Sequence, residues 1–389
     1  MGYNFPSSPT PGQSANGYTW DGEKWLLVGV GIPVPLDSMA YSGMQVNGGF
    51  EVNQKLIHGG VTALSGESLA DCWRIFSNGT MQFGAGTLPS SLAPGLTRIL
   101  YSTISVAQPS LGANDFLTVI HSIEGWRMAR LGWGTANAKP ITICFWSSHN
   151  RPGVYSVTFR NNDANRCYGA TYNHVTPNVS QFNVITIPGD TSGVWPTTNG
   201  VGIAINFAIA SGTTYTSPVV GTWLAGNYVA SLGQVNAAAA TSDVFRISGV
   251  VVLPGIYAPT AAQAPLLARP YDQELATCKR YWEKSYVEGN RPGAAVSDGA
   301  NGILIGSQTT APYVLGVIPY KVEKRASPTL VLYSGNGTPG AYSFFNGSIW
   351  TGAVGGSVLG YSSTTNFLGY NLPAGYTLYG FDYTADARL

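Results

Sequence analysis

Aromatic and amide side chains share several loop-like stretches of this chain, and together they are suited to sugar binding. The stretch NNDANRCYGATYNH contains Tyr168 and Tyr172, while VWPTTNG and TWLAGNY supply Trp195, Trp223 and Tyr228. A flat ring can cover the CH face of a pyranose, and neighbouring Asn, Asp and Thr side chains can bind its hydroxyl groups. The same rings could instead close the ends of a β-sandwich or fill a seam between subunits. Both interpretations stay open at this point.

The segment EGWRMARLGW is the most cationic aromatic patch of the chain, with Trp126, Arg127, Arg130 and Trp133. Its rings and guanidinium groups could stack on an acidic sugar. Structural packing is the competing interpretation, because the segment resembles a family segment of the type IEGxR that follows an amphipathic run, here Asp115 to Ile123. A Trp126→Ala variant separates the two interpretations, since loss of binding without loss of stability would indicate a binding role.

Sequence signatures of the common catalytic sites are missing, and no catalytic residue, metal ligand or cofactor is predicted. Ser68 in SGESLAD lacks the second glycine of the G-x-S-x-G nucleophile elbow. The histidines stand singly, with no HExxH pair that would indicate a metal ion; they are His58, His121, His149 and His174. His149 and His174 lie in polar segments, where we expect solvated loop histidines. Glycoside hydrolysis needs two suitably spaced carboxylates, and the 19 acidic residues are scattered without a marked pair.

Composition places the chain among β-rich assemblies that carry few charges. Of 389 residues only 10% are charged, against about 25% in typical domains, while 12% are aromatic. The net charge of +1 provides no long-range field that would attract nucleic acid or an anionic membrane. No run approaches the ~20 apolar residues of a transmembrane helix, and MGYNFPSSPT lacks the regions of a secretory signal. Nucleic-acid binding and membrane insertion are therefore not predicted.

The four cysteines match no zinc-binding pattern, because they are widely spaced at Cys72, Cys144, Cys167 and Cys278. Cys144 lies within the apolar run ITICFW, and small buried thiols are the expected state. A disulfide formed in an oxidising environment is the alternative.

From about residue 41 to 265, short alternating runs are separated by Gly, Pro, Asn and Ser clusters, which predicts a β-sandwich or barrel. The clearest run is VGIAINFAI (201–209), where large apolar side chains occupy every second position. Further strands are predicted at VYSVTF (154–159), FNVITI (182–187) and FRISGVVVL (245–253). Because strands alternate with turns and not with helices, we predict an all-β fold, an antiparallel jelly roll.

One short amphipathic helix is predicted in the linker region 266–290. Pro270 suits the first turn, acidic residues follow it, and Lys and Arg residues lie near the end, as the helix dipole prefers. Large side chains recur at i, i+4, i+7 and i+11 and share one packing face: Tyr271, Leu275, Cys278 and Trp282. The helix is expected to pack through this face.

Two further segments flank these elements. Residues 1–40 form a leader rich in Pro, Gly and Ser that cannot bury a core alone, and a disordered tail is one interpretation. Its large aromatic residues, Phe5, Trp20 and Trp25, favour a segment that docks into another surface. Residues 291–389 repeat the β-rich pattern and predict a smaller C-terminal β-domain.

Four segments of the chain, taken in order, resemble bacteriophage tail-fibre and related virion proteins. They are NFPSSPTPGQ…YTWDGEKW (4–25), NGGFEVNQ (47–54), RPYDQELATCKRYW (269–282) and FDYTADARL (381–389). In that family a jelly-roll domain ends in a strand, a Pro-containing linker and a helix of the type RPYxxELAxCxRYY. The chain departs from the pattern at Trp282, where a second Tyr is frequent, and at Arg388, where an acid is expected.

The resemblance implies a homotrimeric virion component whose jelly roll is similar to carbohydrate-binding modules. It further implies attachment to other virion proteins through the leader, and release of the particle by host lysis, which requires no export signal. We therefore expect a tail fibre or receptor-binding protein that adheres to host surface glycans without being an enzyme. A collar, whisker or head-surface fibre with a purely structural role is the alternative. A glycan depolymerase is the third possibility.

Overall fold

The computed structural model describes residues 5–10, 13–16, 18–20, 25–27, 43–62, 65–256, 258–295, 303–306, 317–345, 350–355, 357–361, 366–370 and 378–389. They belong to two compact units, Met1–Ser42 and Gly43–Leu389. Within these residues, regular structure is nearly all β-strand, with two short α-helices. Neither helix combines the length and the apolar character needed to cross a bilayer.

The first unit contains a small antiparallel sheet that carries the aromatic residues of the predicted leader. Its strands are β1 (Ser14–Ala15), β2 (Tyr18–Trp20) and β3 (Trp25–Leu27), hydrogen-bonded in that order. The ring of Phe5 stacks on Trp25 with centroids 4.8 Å apart, and the Trp20 and Trp25 rings lie 5.6 Å apart. The three aromatic residues therefore contact one another within this unit. Their docking onto another protein stays a prediction.

The second unit begins with two antiparallel sheets. The first comprises β4 (Gly60–Thr62), β7 (Gln82–Leu88), β8 (Ile99–Val106), β10 (Ile141–Ser147), β13 (Gln181–Ile187) and β18 (Val244–Pro254), in the order β13-β10-β18-β8-β7-β4. The second comprises β5 (Ser68–Ala70), β6 (Trp73–Asn78), β9 (Phe116–Glu124), β11 (Gly153–Arg160), β12 (Arg166–His174), β14 (Val201–Ser211) and β16 (Trp223–Ala225), in the order β16-β12-β11-β14-β9-β6-β5. A short parallel pair, β15 (Thr216–Ser217) and β17 (Ala230–Ser231), completes this region.

Apart from the hairpins β7–β8 and β11–β12, consecutive long strands alternate between the two sheets, which is the connectivity of a jelly roll. Strands β8, β10 and β13 lie in the six-stranded sheet, and β9, β11 and β14 lie in the seven-stranded sheet. The predicted segments 154–159, 182–187 and 245–253 fall within β11, β13 and β18. The predicted antiparallel jelly-roll sandwich is confirmed.

Large aromatic side chains from both sheets fill the space between them. The ring of Phe145 on β10 meets Phe207 on β14 edge-on at 5.2 Å, and Trp73 on β6 lies 6.0 Å from Phe207. All three residues are fully buried. Such edge-to-face contacts add to the stabilisation that burial of apolar surface provides.

The alternation of β14 is interrupted near its start by a register shift. Ile203 pairs with Ile123 and faces the core, but Val201 pairs with Glu124 because the register changes between Val201 and Ile203. A bulge of this kind turns a side chain to the opposite face of the sheet. Val201 therefore points outwards, although the uninterrupted pattern of the sequence places it with the core residues.

The two α-helices are α1 (Gly125–Met128), which continues into a 3-10 turn, and α2 (Tyr271–Lys279). Helix α2 lies in the predicted region, but its packing face differs from the prediction. Cys278 is fully buried and Leu275 partly so, whereas Tyr271 is 47% exposed. Glu274 is buried, although the apolar pattern of the helix does not place it on the packing face.

Trp282 lies beyond the helix, in a strand that belongs to the C-terminal sheets. This strand, β19 (Trp282–Lys284), pairs with β27 (Leu378–Asp386), as do β20 (Ile303–Gly306), β22 (Thr329–Tyr333) and β23 (Ala341–Phe345), and β24 (Trp350–Gly355) pairs with β23. A further sheet contains β21 (Val317–Pro319), β25 (Ser357–Tyr361) and β26 (Asn366–Tyr370). Helix α2 ends at Lys279, and pairing with β27 then satisfies the backbone of Trp282.

Two of the family-like segments meet where α2 joins the sandwich. Asn47 donates its backbone N–H to Oε1 of Glu274 at 2.9 Å, and Nη1 of Arg269 donates to Oε2 of Glu274 at 3.1 Å. Nη2 of Arg269 also donates to the carbonyl oxygen of Gly43 at 2.6 Å. A buried carboxylate with these partners is tolerated because its charge is compensated. The contacts explain why Glu274 faces inwards.

The four cysteines are free thiols, and three of them are buried. Cys278 packs with Val46, Val52 and Tyr281, and Cys72 lies against this group. Burial raises the pKa of the Cys144 thiol to about 12 and that of the Cys167 thiol to about 11. The expectation of small core thiols agrees with this arrangement.

Candidate functional site

An open cleft of about 210 Å³ lies on the outer face of the seven-stranded sheet. We refer to it as the sheet cleft. Its lining residues are Cys72, Arg74, Phe76, Ile120, Ser122, Arg160, Asn161, Asn162, Ala164, Val201, Ala204, Tyr281, Arg388 and Leu389. These residues come from distant parts of the sequence, and only the folded sheet brings them together.

Small side chains on the two central strands form the floor of the sheet cleft. Ser122 on β9 lies opposite Ala204 on β14, and Ile120 lies opposite Asn206 in the same register. Side chains that flank these positions along each strand, such as Ile205, point to the core. The short side chains of Ser122 and Ala204 leave a depression that the longer side chains of Ile120, Arg74 and Arg160 border.

One wall of the sheet cleft is formed by Arg74 and Phe76, which are outward-facing on β6 while Trp73 and Ile75 are buried. The guanidinium carbon of Arg74 lies 4.7 Å from the ring centroid of Phe76. Nε of Arg74 donates to the carbonyl oxygen of Gly66 at 3.0 Å. Stacking and this hydrogen bond fix the guanidinium next to an aromatic ring.

The opposite wall carries Arg160, the last residue of β11. Its Nη2 donates to Oδ1 of Asn206 at 3.1 Å, and its Nη1 donates to the side chain of Asn227. Nε of Arg160 is buried and has no hydrogen-bond partner. Burial lowers the pKa of Arg160, although an arginine stays charged at neutral pH. The guanidinium is therefore oriented by neutral amides.

The remaining border is formed by the turn after β11 and by the end of the chain. Oδ1 of Asn161 accepts the backbone N–H groups of Asn165 at 3.0 Å and Arg166 at 3.1 Å, so this amide holds the turn. Nε of Arg388 donates to Oδ1 of Asp386 at 2.9 Å. Asn162 is exposed at the rim, and its Nδ2 donates to Oδ1 of Asp163 at 2.9 Å.

Three of the aromatic residues predicted to contact sugars are packed at one end of the sandwich. The rings of Trp195 and Trp223 lie 5.4 Å apart, and Trp133 lies 4.7 Å from Trp195 and 5.3 Å from Trp223. Tyr168 lies 5.3 Å from Trp223. Trp195 and Tyr168 are buried and Trp223 is half-buried, and none of them lines the sheet cleft. Their placement matches the packing interpretation of these rings.

Tyr172 belongs to a buried polar group and not to a surface. Its hydroxyl group lies 2.8 Å from Nε2 of His149, and the backbone N–H of His149 donates to Nε2 of His174 at 3.1 Å. Both histidines are buried, so the prediction of solvated loop histidines is wrong. Burial lowers the pKa of His149 well below its usual value. Both histidines are buried because residues of β12 and β18 supply hydrogen-bond partners. The sequence around the histidines does not reveal these partners.

Tyr228 lies on the segment that crosses the outer face of β11 and β12. Its carbonyl oxygen accepts hydrogen bonds from Oγ1 of Thr158 at 3.1 Å and from Sγ of Cys167 at 3.4 Å. The side chain is half-buried and does not line the sheet cleft. Its contact with a sugar stays a prediction.

Trp126 is 59% exposed on helix α1, outside the sheet cleft. Because the ring loses little contact with solvent on folding, Trp126→Ala is expected to change the free energy of unfolding by less than about 1 kcal/mol. Thermal unfolding checks this expectation. A loss above about 3 kcal/mol would show that the ring packs against the protein.

The aromatic loop pattern missed the residues that form the sheet cleft. Arg74 and Phe76 alternate with buried residues in WRIFSN, so the strand pattern could have marked them as outward-facing. Nothing in the local sequence of Arg160 indicates that it faces the same cleft. Among the described residues, no group of three or more His, Cys, Asp or Glu side chains is arranged to hold a metal ion.

The fold and the cleft define an antiparallel jelly-roll protein with arginines on the outer face of one sheet. No protein-family model and no curated protein match the chain. Its structural neighbours include the enzymatically active domain of bacteriophage CBA120 tailspike protein 4, with 12% identity and a TM-score of 0.28, covering 50% of this chain and 21% of that chain.

Carbohydrate-binding modules are also among the structural neighbours. A CBM4 structure has 16% identity and a TM-score of 0.29, covering 54% of this chain and 97% of that chain. A family 11 module from Clostridium thermocellum, in complex with a mixed-linked tetrasaccharide, has 9% identity and a TM-score of 0.25, covering 52% of this chain and 98% of that chain. Similarity this low carries no information about ligands or activity.

Proposed function

We propose that the protein is a virion component of a tailed phage that adheres to host surface glycans through the sheet cleft. The observation that carries the proposal is the combination of the Phe76 ring, which Arg74 covers on one side, with two oriented guanidinium groups, Arg74 and Arg160, around one depression. A pyranose presents an apolar CH face and a ring of hydroxyl groups. In the sheet cleft, the Phe76 ring is complementary to the CH face, and the guanidinium groups can donate hydrogen bonds to the hydroxyl groups.

The size and rigidity of the sheet cleft support binding of one sugar unit or a chain end. Its volume of about 210 Å³ lies below the ~300 Å³ at which pockets for drug-sized ligands begin. The floor residues lie on the central strands β9 and β14, which reduces the conformational entropy lost on binding. Each contact would be weak, and several copies on one particle would raise the avidity.

Adhesion is favoured over cleavage by the chemistry of the lining. Hydrolysis of a glycosidic bond uses two carboxyl groups that flank the bond. The described residues that line the sheet cleft include no aspartate or glutamate. A depolymerase would produce clearing halos around spots of purified protein on a host lawn, and we expect none.

The placement on a virion rests on the family-like segments and on composition. The resemblance implies a homotrimer attached through residues 1–40, and the low charged fraction of 10% suits a chain with surface buried between subunits. Native mass spectrometry at micromolar concentration tests the assembly. A monomeric mass would overturn the trimer and leave the binding proposal in place.

The proposal predicts saturable binding of labelled protein to host cells and loss of that binding after periodate oxidation of surface glycans. Phe76→Ala is expected to weaken the binding about tenfold, since the ring supplies the stacking face. The matched control is Tyr271→Ala, which removes another surface aromatic residue that is 47% exposed and does not line the sheet cleft, and it is expected to bind like the wild type. Thermal unfolding confirms that both variants are folded.

Binding that resists periodate, or an undiminished affinity of Phe76→Ala, would contradict a glycan site in the sheet cleft. No binding at any concentration would favour a purely structural fibre. The ion pair between Arg280, directly after α2, and Glu124 on β9 suits that second role equally well, because it fixes the helix to the sandwich.

A further inference from the structure

We infer that the sheet cleft selects sugars that carry an anionic group, which would lie between Arg74 and Arg160. This inference rests on the proposed function and gives it a ligand class. Carboxylates and phosphate esters share the relevant chemistry, since both accept paired hydrogen bonds from a guanidinium group. The inference concerns a site distinct from Trp126, the residue that the sequence pattern connects with acidic sugars.

Neither cleft arginine has the carboxylate partner that five other half-buried arginines of this fold have. These five ion pairs are Arg151–Asp243, Arg166–Asp190, Arg269–Glu274, Arg280–Glu124 and Arg388–Asp386. Within the described part of the chain, no carboxylate lies within ion-pair distance of Arg74 or Arg160. Arg74 and Arg160 thus line the sheet cleft without an ion pair, and the nearest carboxylates that act on the charge of Arg74 are the more distant Asp386 and Glu67.

The guanidinium groups of Arg74 and Arg160 are both oriented by neutral partners. Arg160 is held by the amides of Asn206 and Asn227, and Arg74 by the ring of Phe76 and one carbonyl oxygen. Neutral partners fix the direction of a charge without cancelling it. Burial lowers the pKa of both arginines, which shows that their charge is partly removed from water. An anionic ligand would supply a negative charge next to these partly desolvated guanidinium groups.

The positive charge of the sheet cleft is local and contrasts with the nearly neutral chain as a whole. The chain has a net charge of +1 and few charged residues, so no general positive field attracts anions. A local pair of arginines beside apolar Phe76 and Ile120 therefore provides selectivity at short range. Binding to such a site is expected to weaken as the salt concentration rises.

The experiment measures binding of the full-length protein to immobilised surface polysaccharide from a host strain, by biolayer interferometry. Four preparations are compared: native, carboxyl-reduced, dephosphorylated with hydrofluoric acid, and periodate-oxidised. We expect carboxyl reduction or dephosphorylation to remove most of the binding, and the affected preparation identifies the anion. Binding that survives both treatments and is lost only after periodate would overturn this inference and leave the proposed function intact.

Variants connect the anion to the sheet cleft. Arg160→Gln and Arg74→Gln are each expected to raise the Kd for the native preparation about 10- to 100-fold, since each removes a charge-assisted interaction. Arg246→Gln is the matched control, because Arg246 is also half-exposed and bonded to an amide, Oδ1 of Asn178 at 3.0 Å, but lies on β18 of the other sheet.

An equal loss in Arg246→Gln, or unchanged binding in both cleft variants at wild-type melting temperature, would overturn the inference. Two cleft variants are used so that a folding defect in one does not decide the result. If the native preparation is not bound, or is bound equally after periodate oxidation, the proposed function fails and the inference fails with it.

Discussion

Replacing Lys324 by methionine is expected to lower the free energy of unfolding by about 3–5 kcal/mol. Nζ of Lys324 lies 2.5 Å from Oε2 of Glu283, and both side chains are 0% exposed. Methionine would fill a similar volume but leave Glu283 charged, without a cation and without water. Loss of one partner from a buried ion pair is costly because the remaining charge cannot be solvated.

Glu283 is held from several sides and cannot turn towards solvent. Its Oε1 accepts a hydrogen bond from the hydroxyl group of Tyr383 at 2.6 Å and another from the backbone N–H of Lys321 at 3.1 Å. Burial lowers the pKa of Lys324, and the charge of Glu283 opposes this effect. The pair connects β19, β27 and the segment that carries Lys324, so its loss is expected to loosen the C-terminal sheets.

Urea unfolding followed by circular dichroism measures the effect. The matched control is Lys55→Met, because Lys55 pairs with Glu67 at 2.6 Å but the two side chains are 34% and 29% exposed. This variant is expected to lose no more than about 1 kcal/mol. The double variant Lys324→Met with Glu283→Gln should recover part of the loss, since no buried charge remains. Equal losses at Lys324 and Lys55 would contradict the argument from burial.

The second large effect is a pH dependence of stability that arises from His121. Its Nε2 accepts the backbone N–H of Val46 at 3.2 Å, and its Nδ1 lies 2.9 Å from the carbonyl oxygen of Cys72. The ring is fully buried and stacks on Trp73 with centroids 4.5 Å apart. A proton added at Nε2 would face a donor and not an acceptor. The neutral ring with hydrogen on Nδ1 is therefore the form that fits.

Burial lowers the pKa of His121 to about 4, against about 6.5 in the unfolded chain. Between these values the unfolded state binds a proton that the folded state does not bind. The stability that His121 contributes is thus fully present above pH 6.5 and is lost as the pH falls through 4. At about 1.36 kcal/mol per pH unit, the total change is roughly 3 kcal/mol.

The measurement compares the wild type with His121→Gln, because other groups titrate in the same range. Burial raises the pKa of Asp71 to about 6, which by itself makes the fold more stable as the pH falls from 6 towards 4. The difference in unfolding free energy between the two proteins removes this contribution. We expect that difference to shrink by roughly 3 kcal/mol from pH 7.5 to 4.

His58→Gln is the control for this experiment. Burial lowers the pKa of His58 to about 4 as well, but this side chain is only half-buried and water screens its charge. Its difference from the wild type should therefore change less with pH. A pH-independent difference for His121→Gln would show that the folded protein accepts the proton at this site.

Much of the sandwich is predictable because strands carry their signature locally. Side chains alternate between the two faces of a strand, so runs such as FNVITI and FRISGVVVL identify β13 and β18 without knowledge of the rest of the chain. Helix α2 is likewise marked by Pro270 and the acidic residues that follow it. Short-range sterics and capping determine these elements, and both depend on neighbouring residues alone.

The same reasoning fails where a partner comes from a distant segment. Glu274 is buried because Asn47 and Arg269 meet its carboxylate, and His149 is buried because Tyr172 lies next to it across the sheet. Neither partner is signalled by the sequence around the residue. Burial of a polar group depends on whether its hydrogen bonds are satisfied, and that is a property of the assembled fold.

The sequence by itself determined the β-rich class, the positions of four long strands of the sandwich and the low charge that disfavours nucleic-acid binding. The tertiary structure decided which outward-facing side chains share a cleft. Arg74 on β6 and Arg160 on β11 line one cleft because β9 and β14 lie between these two strands in the sheet and carry the short side chains of Ser122 and Ala204 there. The pleat of a strand fixes the face on which a side chain lies, but strand order fixes its neighbours, and strand order is set by packing across the whole core.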